Sequence, residues 1–209
     1  KEGYSACFHH ALERVGVYLD STEERSKIIH NWGSTATKIF TDLLAGREDL
    51  IPSAYAIYKS VRQTDLFYRH VRALPGIADT LNQLVKNYIL CVATGSPRDT
   101  LEYGLMPKFQ IPNVFKKILY SQDVADNQRK PSPYMVEYLM KQEHVTSAET
   151  IVVGDAGNDV RMAHSAGVEP VVVLTGHLNK QEAESMGVRY IIQNVTLLPE
   201  VLSLMANDA

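Results

Sequence analysis

The spacing of apolar residues along the chain changes near residue 73. Residues 1–72 repeat apolar positions at intervals of three and four, as amphipathic helices do, and no alternating run there indicates a strand. From residue 73 onward, short apolar runs alternate with helical patterns, which is typical of an α/β fold. The pattern therefore predicts an all-helical segment, residues 1–72, and an α/β domain, residues 73–209.

Glycines end the helices predicted in the first segment. Apolar stripes lead up to Gly16, Gly33 and Gly46, and glycine stops a helix by adopting the left-handed conformation. A further helical stretch begins at Pro52 and carries several aromatic residues as far as Tyr68. We interpret the aromatic and apolar stripes of this segment as packing faces rather than as a ligand site.

Five apolar runs bounded by turn residues are predicted as strands. They are residues 88–93, 117–120, 150–153, 171–174 and 190–192. Helical patterns lie near residues 77–85, 134–140, 160–166 and 180–186. This order predicts a Rossmann-like, mostly parallel sheet with helices on both faces. Because such sheets bind ligands at the carboxyl ends of their strands, we expect the chemistry just after Ala93, Tyr120, Val153 and Leu174.

Composition narrows the class of protein. The chain has 209 residues, 45% of them hydrophobic and 22% charged, which is typical of a folded globular protein. A net charge of −3 offers no basic surface for nucleic acid or membrane, and no apolar run approaches the ~18 residues of a membrane span. With only Cys7 and Cys91 and no visible signal peptide, the expected compartment is the reducing cytoplasm.

Two of the predicted loops carry groups that suit a phosphate. Thr94, Gly95 and Ser96 follow a strand, so a hydroxyl and backbone N–H groups can cradle an anion, and Pro97 fits the first turn of a following helix. The same residues also fit a plain strand-to-helix turn with Ser96 as its N-cap. Lys130 stands in a proline-rich loop that holds its charge in place, although a solvated surface lysine fits there too.

A third loop carries two carboxylates four residues apart. Asp155 stands at the tip of the run that ends in Gly154, and Asp159 falls in the first turn of the next helix. Two carboxylates at a buried strand end repel each other unless a cation lies between them, and Mg²⁺ takes one or two carboxylates from a protein. The alternative makes Asp155 a turn residue and Asp159 an acid that complements the helix dipole.

The order of hydroxyl, lysine and acidic pair resembles the haloacid dehalogenase superfamily, in particular its phosphoglycolate-phosphatase-like branch. Thr94, Lys130 and the pair Asp155 and Asp159 match its motifs within residues 73 to about 203, and residues 1–72 resemble its helical cap. The resemblance implies that Thr94, Gly95, Ser96 and Lys130 bind the phosphoryl group. It also implies that Asp155 and Asp159 bind Mg²⁺, with Thr94, Lys130, Asp155 and Asp159 as the catalytic set.

One departure from the family is large. The family's nucleophile is the first aspartate of a DxDG[TV] motif on a central strand, and no Asp-x-Asp occurs in the 209 residues. Without that strand the sheet would divide into two halves with unpaired edges. We therefore expect the strand to precede Lys1 in the native chain.

Two functions are considered. The resemblance implies a Mg²⁺-dependent phosphatase that hydrolyses a small phosphorylated metabolite through an aspartyl-phosphate. The second is a catalytically inactive member of the fold that serves in binding or regulation. No nucleic-acid or membrane partner is expected, and a monomer and a homodimer both remain open.

Overall fold

The computed structural model describes residues 2–31 and 35–208, with side chains up to residue 206. Contacts divide the chain into two compact units, Lys1–Ala73 and Leu74–Ala209. Within the described ranges, no helix combines the length and the apolar character that crossing a bilayer requires.

The amino-terminal unit is helical. Its helices are α1 (Glu2–Arg14), α2 (Ser21–His30), α3 (Ala36–Leu43), α4 (Ile51–Val61) and α5 (Asp65–Tyr68). Gly16 has a φ value of +75° and its N–H bonds the Glu13 carbonyl at the end of α1, so its predicted role as a helix stop is confirmed. Gly46 has a φ value of +82° but lies in a turn three residues beyond the end of α3, so that helix ends earlier than predicted. The stop predicted at Gly33 lies outside the described residues.

Aromatic rings form the core of this unit. Phe8 stacks on Tyr58 with ring centroids 4.4 Å apart, and Phe40 meets Phe8 edge to face at 5.0 Å. All three side chains are buried, which confirms them as packing residues. Among the aromatic residues between Pro52 and Tyr68, Tyr55 is the exception, because this residue is 40% exposed.

The carboxyl-terminal unit alternates strands and helices. Its elements are α6 (Ile77–Leu84), β1 (Cys91–Thr94), α7 (Met106–Lys108), β2 (Lys117–Tyr120), α8 (Tyr134–Glu143), β3 (Ile151–Gly154), α9 (Gly157–Ser165), β4 (Glu169–Val173), α10 (Lys180–Ser185), β5 (Tyr190–Ile192) and α11 (Leu198–Asp208). The strand predicted from Tyr88 begins only at Cys91, because the Tyr88 N–H still bonds the Leu84 carbonyl at the end of α6.

Helices cover both faces of the sheet. Val171 and Val173 of β4 pack in an apolar cluster with side chains of α6 and α11. Val172, which points the other way, packs with side chains of α9 and α10. This alternation is the period-two pattern of a strand buried on both faces, so the predicted α/β class is confirmed.

The strands form two parallel sheets rather than one. β1 pairs with β2, and β3, β4 and β5 pair in that order. Side chains of β1 and β3, among them Ala93 and Val152, nevertheless pack in one apolar cluster. Every residue of β1 and β3 is half-buried, whereas β4 is buried from Pro170 to Val173. The division therefore falls at the place where the family resemblance puts a central strand.

Candidate active site

The predicted site residues lie at the carboxyl ends of strands in the carboxyl-terminal unit. Thr94 is the last residue of β1, and Asp155 directly follows β3. Asp159 lies in the first turn of α9. Lys130 stands in the loop between β2 and α8.

Lys130 and Asp159 form an ion pair. The Lys130 Nζ donates to Asp159 Oδ1 over 2.6 Å. The other oxygen, Oδ2, accepts the backbone N–H groups of Asp155 and Ala156 at 3.2 and 3.1 Å. Asp159 is only 7% exposed, so its charge is compensated by an ammonium and two amide dipoles rather than by water.

Gly154 lets α9 approach the end of β3. A Cβ at this position would lie 2.3 Å from the Cβ of Asp159, which is closer than two carbon atoms can come. The absence of a side chain at Gly154 thus lets the Asp159 carboxylate fold back onto the amides that follow the strand. Gly154, the glycine that precedes Asp155 in the acidic motif, is therefore needed for steric reasons.

The Asp155 carboxylate is in a different state from that of Asp159. In the part of the chain that the structure describes, no protein donor is found for its oxygens, while its backbone carbonyl accepts the N–H groups of His177 and Leu178. Its carboxylate lies against Gly176, where a Cβ would be 1.8 Å from Oδ2. The two predicted metal ligands therefore differ: Asp155 offers uncommitted oxygens, and both Asp159 oxygens already have protein partners.

These residues fit a magnesium ion in a limited sense. Among residues 2–31 and 35–208 there is no cluster of three or more His, Cys, Asp or Glu side chains that could hold a metal. Mg²⁺ keeps several waters and is often bound through one or two carboxylates together with substrate phosphate. The uncommitted Asp155 carboxylate at a strand end can supply the one carboxylate ligand that such a site needs from the protein.

Thr94 and Ser96 form a hydrogen-bonded turn. The Ser96 N–H donates to Thr94 Oγ1 over 3.0 Å, so this amide is engaged within the turn. The Thr94 hydroxyl hydrogen is left to donate outward, because the oxygen serves as the acceptor. A helix follows Pro97 as expected, since the Pro97 carbonyl accepts the Leu101 N–H at 3.1 Å. From Asp99 to Leu105 this helix is π-helical rather than α-helical, and it contains Gly104, a poor helix former.

Two residues outside the predicted site set join the turn to the lysine loop, and one of them, Arg129, was expected from the sequence to have little effect. The Ser121 Oγ donates to the Thr94 carbonyl at 3.2 Å. The Arg129 Nε donates to the Ser121 carbonyl at 2.8 Å. Ser121 could have been found from the sequence, because it directly follows β2, one of the strand ends where chemistry was expected. Nothing in the sequence indicates which carbonyl the Arg129 side chain reaches.

Lys130, Asp155 and Asp159 are thus brought together, since Asp159 bonds both of the others. Thr94, Gly95 and Ser96 form a separate turn that reaches the lysine loop through Ser121 and Arg129. A hydroxyl donor, a fixed ammonium and an uncommitted carboxylate are groups that bind and neutralise a phosphoryl group.

The comparisons with known proteins identify the family. The chain belongs to the haloacid dehalogenase-like hydrolase family, whose model matches residues 1–173. It is 26% identical over 104 residues to the phosphoglycolate phosphatase of Aliivibrio fischeri, a match that covers 49% of this chain and 44% of that protein. It is 23% identical over 186 residues to the phosphoglycolate phosphatase of Colwellia psychrerythraea, covering 85% of this chain and 81% of that one.

A solved structure shares the fold. The crystal structure of a predicted phosphoglycolate phosphatase from Haemophilus somnus superposes with a TM-score of 0.79 at 20% identity, over 95% of this chain and 90% of that chain. Identity at this level supports the fold alone. The chain spans less than half of the length of the first curated relatives it matches, 44% and 46%.

Proposed function

We propose that the protein is a magnesium-dependent phosphatase that acts on a small phosphorylated metabolite. The observation that carries the proposal is the Lys130 ammonium, held 2.6 Å from buried Asp159, whose other oxygen accepts the backbone N–H of Asp155, a residue with an uncommitted carboxylate. An ammonium and a cation-binding carboxylate at one strand end are suited to a dianionic phosphoryl group. The relatives named phosphoglycolate phosphatase support the same class of reaction.

Each site residue has a role that follows from its contacts. The Thr94 hydroxyl and the Gly95 N–H donate to non-bridging phosphoryl oxygens, while the Ser96 N–H holds the Thr94 oxygen in place. Lys130 neutralises charge on the phosphoryl group and on the attacking carboxylate. Asp159 fixes the Lys130 ammonium, because its carboxylate is itself fixed by two backbone amides.

Asp155 is the residue that we propose to ligate Mg²⁺ directly. Asp159, whose oxygens already have protein partners, contributes through a water or as a second ligand. When bound, Mg²⁺ withdraws charge from the phosphoryl oxygens as a Lewis acid. Gly176 leaves room for the Asp155 side chain itself, because a Cβ at position 176 would overlap with it.

The attacking group is proposed from the family resemblance and from the sheet. An aspartate on a strand between β1 and β3 would reach the strand ends where Thr94 and Asp155 stand. Its carboxylate oxygen would bond to phosphorus while the bond from phosphorus to the substrate's alcohol oxygen breaks. That oxygen would take a proton from the second aspartate of the family motif, which the resemblance implies as the general acid. Water then attacks the aspartyl-phosphate at phosphorus, which releases inorganic phosphate and regenerates the carboxylate.

A catalytically inactive binding protein is the second candidate, favoured by one observation. The 209 residues contain no Asp-x-Asp pair that could supply the nucleophile and the acid. The intact Lys130–Asp159 pair favours the enzyme, because a scaffold has no need of a half-buried ammonium paired with a buried carboxylate beside a second, uncommitted carboxylate-bearing residue. For either function we propose a reducing, cytoplasmic setting, consistent with free Cys7 and Cys91.

A substrate panel tests the proposal. The protein translated from the complete coding sequence would be incubated with phosphoglycolate, sugar phosphates, nucleotides and pyrophosphate, and phosphate release would be measured with Mg²⁺ and with excess EDTA. We expect Mg²⁺-dependent release from a small phosphomonoester. Release that persists in EDTA contradicts the metal role, and phosphate binding without turnover of any substrate favours the inactive binding protein.

A further inference from the structure

We propose that Arg129 and Ser121 are positioning residues that hold the Thr94 turn and the Lys130 loop in register. The inference rests on the proposed function, because it concerns how the groups that would bind phosphate are placed. It does not follow from the motifs themselves, since neither residue belongs to them.

A continuous series of hydrogen bonds carries the inference. The Arg129 Nε donates to the Ser121 carbonyl at 2.8 Å, and the Ser121 hydroxyl donates to the Thr94 carbonyl at 3.2 Å. Gly95 lies against the same hydroxyl, since a Cβ on Gly95 would be 3.9 Å from Ser121 Oγ. Ser121 therefore contacts the anion-binding turn with its side chain and Arg129 with its backbone.

Arg129 holds one end of the segment that presents Lys130. Its carbonyl accepts the Ser132 N–H at 2.9 Å, closing a turn with Lys130 and Pro131 in its middle. The Arg129 side chain anchors this turn to the end of β2, and the Lys130 side chain anchors it to Asp159 on α9. Loss of the first anchor leaves the lysine held by its tip alone.

The remaining contact of Arg129 can be separated from this one. Its terminal Nη2 pairs with Asp126 at 2.8 Å, but the Asp126 side chain is 88% exposed. An exposed pair of this kind contributes little. Asp126→Asn thus removes the ion pair and leaves the bond from Nε to Ser121, which makes it a matched control.

Steady-state kinetics on the protein from the complete coding sequence test the inference. We expect Arg129→Ala and Ser121→Ala each to lower kcat about tenfold, because small displacements of phosphate-binding groups are costly, while KM changes less. The kcat of the double variant should be close to that of the slower single variant, because both residues act through one series of hydrogen bonds. Methylguanidine should restore part of the kcat of Arg129→Ala.

Two controls define the outcome. Asp126→Asn and Arg189→Ala, which removes an exposed guanidinium over the Tyr190 ring, should keep kcat within about twofold of the wild type. Equal kcat values for the Arg129, Ser121 and control variants overturn the inference, as does a double variant in which the two effects multiply. If Arg129→Ala does not fold, Ser121→Ala carries the same test, because it removes a single hydroxyl.

A structural readout separates this inference from the proposed function. The backbone amide resonances of Gly95 and Ser96 should shift in Arg129→Ala but not in Asp126→Asn, since the Thr94 turn is held through Ser121. If the wild type hydrolyses no phosphomonoester, the phosphatase proposal fails, and these shifts still decide the positioning role. If the wild type is an active phosphatase but the Gly95 and Ser96 resonances do not shift in Arg129→Ala, only the positioning role is overturned.

Discussion

Replacing Lys130 with methionine should separate a catalytic lysine from a surface lysine. The substitution keeps the apolar stem and removes the ammonium that lies 2.6 Å from Asp159 Oδ1. A solvated lysine would tolerate it with a change of about 0–1 kcal/mol in the free energy of unfolding. A lysine that neutralises a phosphoryl group would not, because its charge acts inside a desolvated site.

The contacts set the size of the effect on stability. Removing one partner of a buried ion pair typically costs about 3–5 kcal/mol. In Lys130→Met, Asp159 keeps its two backbone N–H donors, and the Lys130 side chain is 23% exposed in the wild type. The loss of stability should therefore be smaller than for a fully buried pair. We expect Lys130→Met to lower the free energy of unfolding by about 1–3 kcal/mol. On activity we expect at least a ~100-fold loss in kcat/KM, about 2.7 kcal/mol of transition-state stabilisation.

A double variant distinguishes the two effects. Urea unfolding and phosphatase assays would compare Lys130→Met, Asp159→Asn and both changes together, in the protein from the complete coding sequence. The double variant should regain part of the lost stability, because no unpaired charge stays buried, and none of the lost activity. Lys130→Arg should restore little activity, because a planar guanidinium does not replace a compact ammonium.

The matched control is Lys180→Met, which removes a lysine that is 70% exposed and paired with Glu184 at 3.7 Å. We expect it to leave stability and activity nearly unchanged. If Lys130→Met behaves like Lys180→Met in both assays, the phosphate-neutralising role of Lys130 is refuted.

Three further predictions concern other contacts. Asp155→Asn should abolish most Mg²⁺-dependent turnover while the urea midpoint stays near that of the wild type, because its oxygens have no protein donor in the described chain; full activity in this variant would exclude direct ligation. Gly176→Ala should lower both turnover and stability, since its Cβ would lie 1.8 Å from Asp155 Oδ2, and a variant with wild-type kinetics would contradict this. The hydrogen bond to Glu24 raises the pKa of His9, so the pair stabilises the fold fully below about pH 6.5 and loses that contribution as pH rises through the raised pKa. The difference in urea midpoint between the wild type and His9→Gln should therefore shrink from pH 6 to pH 8.5, and a constant difference would exclude this linkage.

The elements predicted well are those specified by short-range patterns. The strand β2 was predicted with its observed bounds, because an apolar run between turn residues is a local signal. Gly16 adopts the left-handed conformation expected of a helix stop. The helix α11 was not predicted. The strand β1 begins later than expected, because the backbone N–H of Tyr88 still bonds the Leu84 carbonyl at the end of α6.

The parts that could not be predicted depend on contacts between distant segments. The spacing of Asp155 and Asp159 does not show that one carboxylate is committed to Lys130 and two amides while the other is not. The bond between Arg129 and Ser121 joins residues eight apart through a backbone carbonyl, a partner that no side-chain pattern marks. Residue identity specifies which groups are available, and the tertiary fold decides which of them are already engaged.

The need of the acidic pair for a nearby cation can be met in two ways, by a metal ion or by a lysine. Two carboxylates at a buried strand end require a nearby cation, which in the sequence argument indicated magnesium. In the structure the Lys130 ammonium meets this requirement for Asp159, helped by the amides of Asp155 and Ala156. The acidic side chain of the pair whose oxygens are uncommitted is therefore that of Asp155. Asp155 would hold a magnesium ion there with few protein oxygens, and substrate phosphate would supply further ones, so metal affinity measured by calorimetry should rise when a phosphorylated ligand is present.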